Sequence, residues 1–373
     1  MMPRIQEEYR VSYAAAACIF IVTCTGSMCG IALNVLLNAR VGFGKLLVFG
    51  LTLIALSHTL QAAASPFPLF VGSYLLYGAG QSLFHVQSNA FIGSMRQGRQ
   101  ARLGMLHACF GLGALSSPLV ATQFARMRRW SFHYFISLGL SCGAIIAVSL
   151  AFRFKDQLYC LRQIGQEPEQ KPEQVPITLR SLVWDNKTLP ILTVFLFFYV
   201  GTEISMAGWI VTYIMEIREG GPSSGYIASG YFGGLALGRI ILIPFTSRVG
   251  EELAVVIYTI VAICLQLVVW FVPSLIGNAL AVSFIGFCFG PLYPIAVSYA
   301  SYLIPQHMLA PTLALVCGLG TTGQAIIPFA TGAMASRFGI QSMQPLVVSM
   351  MACMSVLWCL TVWQARRSRR QVA

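Results

Sequence analysis

Long apolar segments recur along almost the whole sequence, and they constrain its fold more than any other feature. Each is long enough, at about 18 residues or more, to cross a bilayer core of about 30 Å as an α-helix. The eleven segments cover residues 13–37, 45–63, 68–93, 102–125, 132–153, 188–214, 222–246, 253–272, 275–303, 309–334 and 341–364. Strands of a membrane β-barrel would instead alternate polar and apolar residues in segments of about ten. The sequence therefore predicts an all-α polytopic membrane protein with eleven transmembrane helices.

Composition and charge exclude several classes of protein. Only 10% of the 373 residues are charged, whereas a soluble globular protein carries about 25%. The net charge of +12 comes from basic residues that cluster in short loops and at the C-terminal end, so it indicates no nucleic-acid partner. The 11 cysteines form no Cys-x-x-Cys motif, and we expect neither a metal site nor a disulfide framework. No motif indicates a cofactor.

A polar segment divides the predicted helices into a group of five and a group of six. Residues 154–187 are rich in Gln, Glu, Lys and Pro and contain the run Gln-Glu-Pro-Glu-Gln-Lys-Pro-Glu-Gln. Such a composition buries too little apolar surface to form a core, so it predicts a flexible polar linker. We therefore predict a five-helix bundle in residues 1–153, a linker in 154–187, and a six-helix bundle with a basic tail in 188–373. With the linker and the tail in the cytoplasm, most Lys and Arg lie on the inner side.

Three pairs of short motifs recur in the same order and indicate an internal duplication. They are Arg40-Val41-Gly42 with Arg248-Val249-Gly250, Gly80 with Gly290, and Gly113-x4-Pro118 with Gly323-x4-Pro328. This offset of about 210 residues pairs predicted helices one to five with helices seven to eleven. The partner of the sixth helix then falls before Met1, so we predict a parent architecture of six plus six helices that lacks its opening helix. An even number of helices in each half makes the halves parallel repeats.

Several blocks of residues resemble the fucose–proton-symporter-like branch of the major facilitator superfamily, especially its fungal members. They are Leu106-His107-Ala108-x-Phe110-Gly111-x-Gly113, Tyr199-Val-Gly201-Thr-Glu203 with Gly208-Trp209, Gly233-Gly234-x-x-Leu237-Gly238-Arg239, and Gly290-Pro291-Leu292-x-Pro294. The resemblance implies two six-helix bundles that move a small organic solute, sugar-like or another metabolite, by alternating access. It also implies a monomer in the lipid bilayer, with H+ as a candidate coupling ion. We expect the plasma membrane rather than the vacuole or another internal membrane.

The resemblance also assigns a cytoplasmic loop motif, and it leaves one alternative open. The motif residues are Arg40, Gly42, Lys45, Arg239, Arg248 and Gly250. Ala39 and Ser247 stand where the superfamily's motif has an acidic residue. Because the family's first helix lines the transport path, the alternative is a truncated relic that does not transport, or a wrongly started gene model. An enzyme is not expected, since a membrane-embedded enzyme needs paired acids, a metal set or an activated nucleophile.

Glu203 is the one carboxylate predicted deep inside a transmembrane helix. An ionised carboxylate costs roughly 2.5–3.5 kcal/mol at the centre of a membrane helix. Glu203 must therefore face a polar cavity, meet a cation or stay protonated, and no Lys or Arg is predicted to pair with it. We interpret Glu203 as a residue of proton coupling or solute binding; the alternative is a protonated side chain that holds two helices together.

The third predicted helix carries Gln81, His85 and Asn89 at spacings of four residues, which places them on one helical face. Such a polar stripe indicates a solute path, and hydrogen bonding between helices is the alternative. Gln87 lies off this face. His107 lies beside a glycine-rich stretch, which favours a packing role; binding of a solute or a proton is the alternative for which it is kept as a candidate.

The remaining candidates for solute binding lie in the second half of the chain. They are Trp209, Tyr293, Thr321, Thr322 and Gln324. The hydroxyl and amide groups could bond to the hydroxyls of a solute, or they could serve contacts between helices. Trp209 could cap the cavity, or it could be an anchor at the level of the lipid headgroups.

Overall fold

The computed structural model describes residues 1–95, 97–166, 188–304 and 309–372, and within these ranges every regular element is a helix. The α-helices are α1 (Met2–Tyr9), α2 (Tyr13–Val41), α3 (Phe43–Ala62), α4 (Phe67–Gly93), α5 (Arg99–Ala125), α6 (His133–Phe152), α7 (Gln157–Gln163), α8 (Thr188–Ile217), α9 (Tyr226–Ile241), α10 (Ile243–Val249), α11 (Glu251–Phe271), α12 (Leu275–Phe289), α13 (Leu292–Leu303), α14 (Leu309–Thr321), α15 (Gly323–Phe338) and α16 (Met343–Val372). Short 3-10 turns cover Trp130–Phe132, Pro222–Gly225 and Ile340–Ser342. The all-helical prediction is confirmed.

Each of the eleven predicted segments contains a helix, but three of them are broken. The segment 222–246 divides into α9 and α10, which meet at an angle of 52°. Pro244, in the first turn of α10, explains this bend, because it has no N–H to continue the ladder of hydrogen bonds. The other breaks separate α12 from α13 and α14 from α15.

The number of membrane spans stays a prediction. In the described part of the chain, eight helices are long and apolar enough to cross a membrane, or nine if the bent pair α9 and α10 is one span. The helix α4 is 27 residues long but is not among the eight. Its second half carries Gln81, His85, Gln87 and Asn89, which lower its mean hydropathy.

The chain forms two compact units. The N-terminal unit comprises Cys18–Phe110 and Gln123 to the last described residue before the gap, Gln166. In it, α3 packs against α4 and α6. The C-terminal unit comprises Met1–Ala17, Gly111–Thr122 and the described residues from Thr188 onward. In this unit α8 is central and packs against α14, α15 and α16.

The beginning of the predicted linker is folded. Residues 157–163 form α7, whose Cys160 and Leu161 are buried against Phe43 and Leu47 of α3. The prediction that residues 154–187 bury no core is therefore wrong for α7, since two apolar side chains within this polar segment find a partner surface. The rest of the linker, residues 167–187, lies outside the described residues.

Candidate functional site

Glu203 lies at the middle of α8, 15 residues after Thr188 and 14 residues before Ile217. Its side chain is half-buried and forms a hydrogen bond with the side chain of Tyr199, one turn earlier in α8. The Tyr199 hydroxyl also donates to the backbone carbonyl of Phe289, at 3.2 Å. A hydroxyl carries one proton, so Tyr199 serves both partners at once only when the carboxyl group is itself the donor. The protonation state of Glu203 therefore determines whether the Tyr199 hydroxyl can donate to the Phe289 carbonyl while it stays bonded to Glu203.

A cation on α9 acts on this carboxyl group electrostatically, without an ion pair among the described residues. Arg239 interacts electrostatically with Glu203, and its Nε donates to the carbonyl of Gly290 at 3.3 Å. In a continuous helix the Gly290 carbonyl would accept a hydrogen bond from the backbone N–H of residue 294. Residue 294 is a proline and has no N–H, so the carbonyl is free to accept from Arg239. The break between α12 and α13 thus supplies an acceptor that holds the guanidinium group near Glu203.

Two sequence-based expectations concern Arg239. Glu203 was expected to have no Lys or Arg to pair with; Arg239 acts on it electrostatically, but the two form no ion pair in the described part of the chain. Arg239 was assigned to the cytoplasmic loop motif; it lies in the last turn of α9, just before the bend into α10, and its role in that motif stays a prediction. The glycines of its block bring α9 close to α12. A Cβ on Gly238 would lie 1.9 Å from the Phe287 carbonyl oxygen.

Three further side chains complete the group that we call the Glu203 cluster: Tyr199, Glu203, Arg239, Tyr231, Tyr293 and Cys317. The ring of Tyr293 lies 6.1 Å from that of Tyr199, and its hydroxyl forms a hydrogen bond with Cys317. Tyr231 is fully buried, interacts electrostatically with Glu203 and Arg239, and its hydroxyl has no hydrogen-bond partner among the described residues. A buried hydroxyl without a partner is costly, so Tyr231 marks a place where a bound polar group would be stabilised. Sequence reasoning missed Tyr231.

The predicted polar stripe lies on α4, in the N-terminal unit. The helix is continuous through Gln81, His85 and Asn89, so the three residues share one face as predicted. His85 is exposed, and its ring lies 6.2 Å from that of His107 on α5, in an edge-to-face contact. The amide of Asn89 donates to the carbonyl of His85 at 2.8 Å. The structure thus places His107 beside the stripe. The Asn89 amide uses one of its hydrogen bonds within its own helix.

A second polar group on α4 was missed by sequence reasoning. Gln87 is buried, and its Nε2 donates to Oδ1 of Asn34 at 2.6 Å and to Oδ1 of Asn38 at 2.9 Å. Asn34 and Asn38 are one turn apart on α2. Their spacing of four residues is the signal that could have indicated this contact between helices.

Trp209 and the two threonines occupy packing positions. Trp209 is completely buried, and its Nε1 donates to the carbonyl of Pro328 at 3.0 Å. This burial contradicts an anchor at the headgroup level. Thr321 and Thr322 each donate to a carbonyl of their own chain three residues earlier. Gln324 is half-buried at the start of α15.

The two copies of the loop motif have the same backbone geometry. Gly42 has φ +86° and precedes α3, and Gly250 has φ +88° and precedes α11. A side chain is strained at such angles, which explains glycine at both positions. Arg40 and Arg248 each lie in the last turn of the preceding helix, while Lys45 lies in the first turn of α3.

The sequence is similar to one protein superfamily and to several named proteins. The model of the Major Facilitator Superfamily matches residues 1–316. The Bypass of stop codon protein 6 of Saccharomyces cerevisiae is 26% identical over 96% of this chain and 78% of its own length. The Glucose/mannose transporter GlcP of Bacillus subtilis is 23% identical over 83% of this chain and 76% of its own length.

Solved structures share the fold at low sequence identity. A bacterial homologue of the human lysosomal transporter Spinster, in an inward-facing and unoccupied conformation, aligns with a TM-score of 0.75 and 11% identity. That alignment covers 98% of this chain and 91% of the homologue. The E. coli fucose:proton symporter FucP aligns with a TM-score of 0.61 and 15% identity, over 96% of this chain and 92% of FucP.

Proposed function

Since this chain belongs to the Major Facilitator Superfamily, we propose that it is a secondary transporter that moves a small, sugar-like solute and couples this movement to protons through Glu203. Its membership makes it a multi-pass membrane transporter rather than an enzyme. We further propose that it belongs to the fucose–proton-symporter-like branch, that it acts as a monomer, and that it resides in the plasma membrane.

One observation carries the proton coupling: Glu203 lies mid-helix, hydrogen-bonds to the Tyr199 hydroxyl and interacts electrostatically with Arg239. When Glu203 is ionised, Arg239 favours its negative charge, and Tyr199 can donate to the carboxylate. When Glu203 is protonated, Tyr199 can donate to the Phe289 carbonyl and accept from Glu203. The two protonation states thus favour different hydrogen bonds to the break between α12 and α13. A helix break that responds to a proton is a suitable element for alternating access.

The chemistry of the Glu203 cluster supports a hydroxyl-rich solute. Tyr231 offers a buried hydroxyl without a partner, and Tyr293 adds a second hydroxyl beside Glu203. Arg239 and Glu203 can donate to and accept from sugar hydroxyls. Two relatives also support sugars as the solute class: the Glucose/mannose transporter GlcP of Bacillus subtilis and a Glucose/galactose transporter of Brucella abortus, which is 22% identical over 81% of this chain and 74% of its own length.

The test is uptake by proteoliposomes that contain the purified chain. A panel of radiolabelled hexoses is offered with and without an inward proton gradient. We expect gradient-driven uptake of at least one hexose, and we expect Glu203→Gln to lose the gradient dependence while the amount of folded protein is unchanged. Glu219→Gln is the matched control, because Glu219 is exposed beyond the end of α8. Gradient-driven uptake that survives Glu203→Gln would refute the coupling role.

A further inference from the structure

A cavity of about 390 Å³ lies at one end of the N-terminal unit and contains none of the residues of the Glu203 cluster. It forms where α2 ends, α3 begins and the chain turns from α6 into α7. The lining residues are Asn38, Arg40, Val41, Gly42, Phe43, Lys45, Asp156, Gln157 and Leu158. Two of these side chains are cationic and one is anionic.

The ends of the apolar helices place this cavity at a membrane surface. The apolar stretch of α2 ends at Asn38, that of α3 begins at Phe43, and that of α6 ends at Phe152. Three spans of one unit therefore leave the hydrocarbon at the same level as the cavity. Side chains at this level meet the headgroups of lipids rather than acyl chains or bulk water.

The two cationic side chains in the cavity are exposed. Within the described residues, neither Arg40 nor Lys45 forms an ion pair. Asp156 lines the same cavity, but its carboxylate lies against the turn at Gly42, where a Cβ would be 2.2 Å from its Oδ1. A carboxylate there stabilises the N-terminus of α3. Two positive charges thus remain available to a ligand.

The surface around the cavity combines apolar and basic side chains. Exposed apolar residues on and beside α7 are Phe154, Leu158, Tyr159 and Ile164, and exposed basic residues are Arg153, Lys155 and Arg162. A short helix with exposed apolar residues among basic ones is typical of a segment that lies in the membrane interface. This arrangement would place the acyl chains of a bound lipid against Leu158 and its headgroup in the cavity.

We propose that the cavity binds the phosphate group of an anionic phospholipid, with Arg40 and Lys45 as its ligands. The planar guanidinium of Arg40 can bind two phosphate oxygens, and the ammonium of Lys45 adds a compact charge. The orientation predicted from the basic residues places this surface in the cytoplasmic leaflet, which is where anionic lipids concentrate. The site requires no solute transport, so it stands independently of the proposed function.

The test is a lipid titration of the full-length chain by native mass spectrometry, with phosphatidylglycerol as the anionic lipid and phosphatidylcholine as the neutral one. We expect phosphatidylglycerol to bind more tightly. Removing either cation, by Arg40→Gln or Lys45→Gln, should weaken its binding about fivefold, and removing both about 30-fold. Arg126→Gln with Arg128→Gln is the matched control, because these exposed residues follow α5 at the opposite ends of the helices. Helical content and thermal midpoint are followed to show that each variant is folded.

Two further measurements identify which chemical group the cavity binds. Asp156→Asn should tighten phosphatidylglycerol binding, because it removes a negative charge beside the phosphate; weaker binding would instead indicate a cationic headgroup and overturn the proposal. Inorganic phosphate in excess should leave the lipid adduct in place. Displacement of the lipid by phosphate, equal binding of phosphatidylcholine, or an unchanged affinity in the double variant would each overturn it as well.

Discussion

The Glu203 cluster of the C-terminal unit and the stripe on α4 of the N-terminal unit both place polar side chains inside apolar helices, but they use them differently. In the Glu203 cluster, Tyr199 and Arg239 both bond to backbone carbonyls at a helix break. On α4, His85 and its neighbour His107 are exposed and meet through a ring contact. The first group is held by the fold, whereas the second is open to its surroundings.

This difference indicates which region tolerates change. In the Glu203 cluster the loss of one side chain leaves another buried group without its partner, which is more costly than the bond itself. On α4 an exposed side chain can be replaced with little effect on folding, so any functional loss there reports on solute contact. Truncation of a side chain should therefore lower stability and transport together in the first region and separately in the second, whereas Glu203→Gln keeps a hydrogen-bonding side chain of the same size and spares folding.

The largest effect is expected when the cation of the Glu203 cluster is removed. Arg239→Leu removes the positive charge that acts on Glu203 and leaves the Gly290 carbonyl without its donor. The loss of a hydrogen bond from a charged group costs about 1.5–3 kcal/mol, and the lost electrostatic interaction adds to this cost. We expect a marked fall in the yield of folded protein and in its thermal midpoint in detergent.

A double variant isolates the charge contribution. Glu203→Gln combined with Arg239→Leu removes both charges, and we expect it to be more stable than Arg239→Leu alone. A double variant that is no more stable than the single one would show that the two side chains are not coupled.

The next effect concerns the glycines that bring α9 close to α12. Gly238→Ala places a Cβ 1.9 Å from the Phe287 carbonyl oxygen, and overpacking of this kind costs about 1–3 kcal/mol. Gly104 on α5 is the matched control, because a Cβ there meets nothing within 4 Å. Gly104→Ala should be neutral or stabilise the helix by up to about 1 kcal/mol. A lower thermal midpoint in Gly238→Ala, with an unchanged or higher one in Gly104→Ala, would confirm that Gly238 is needed for close packing. Equal shifts in the two variants would contradict it.

Much of the fold could be predicted from the sequence, since runs of apolar residues leave few alternatives to membrane helices. The repeat also predicted that Gly42 and Gly250 occupy equivalent turns, and their φ angles agree within a few degrees. Helix breaks were harder to predict. A proline in an apolar run can kink or end a helix depending on its neighbours, and the bend before Pro244 depends on packing that no local pattern shows.

The site was predictable only in its central residue. Glu203 was evident because a lone carboxylate in an apolar run is expensive. The nearby Arg239 was not, because an arginine at the end of a helix also fits a loop motif, and only the packing of α9 brings its charge near Glu203. Tyr231 was missed because a tyrosine in an apolar helix is ordinary, and only its unsatisfied hydroxyl distinguishes it.

A smaller effect should separate two neighbours on α4. Gln87→Leu removes two hydrogen bonds to α2, and bonds of this kind between membrane helices contribute about 0.6–2 kcal/mol each. Asn89→Leu removes a bond within its own helix and should cost less stability. Asn89→Leu should weaken solute binding more than Gln87→Leu does, because Asn89 shares the exposed face of His85. Equal losses of affinity in the two variants would show that the stripe serves packing alone.

The smallest effect on folding is expected at His107, where transport and stability should separate most clearly. Its ring contact with His85 contributes about 0.5–1.5 kcal/mol, and both side chains are exposed. His107→Phe keeps the ring contact but removes both ring nitrogens, so the thermal midpoint should stay nearly constant. If the histidine nitrogens bind the solute, its affinity should fall severalfold, and His107→Ala should add a loss of stability without a further loss of affinity. An unchanged affinity in His107→Phe would assign His107 to packing.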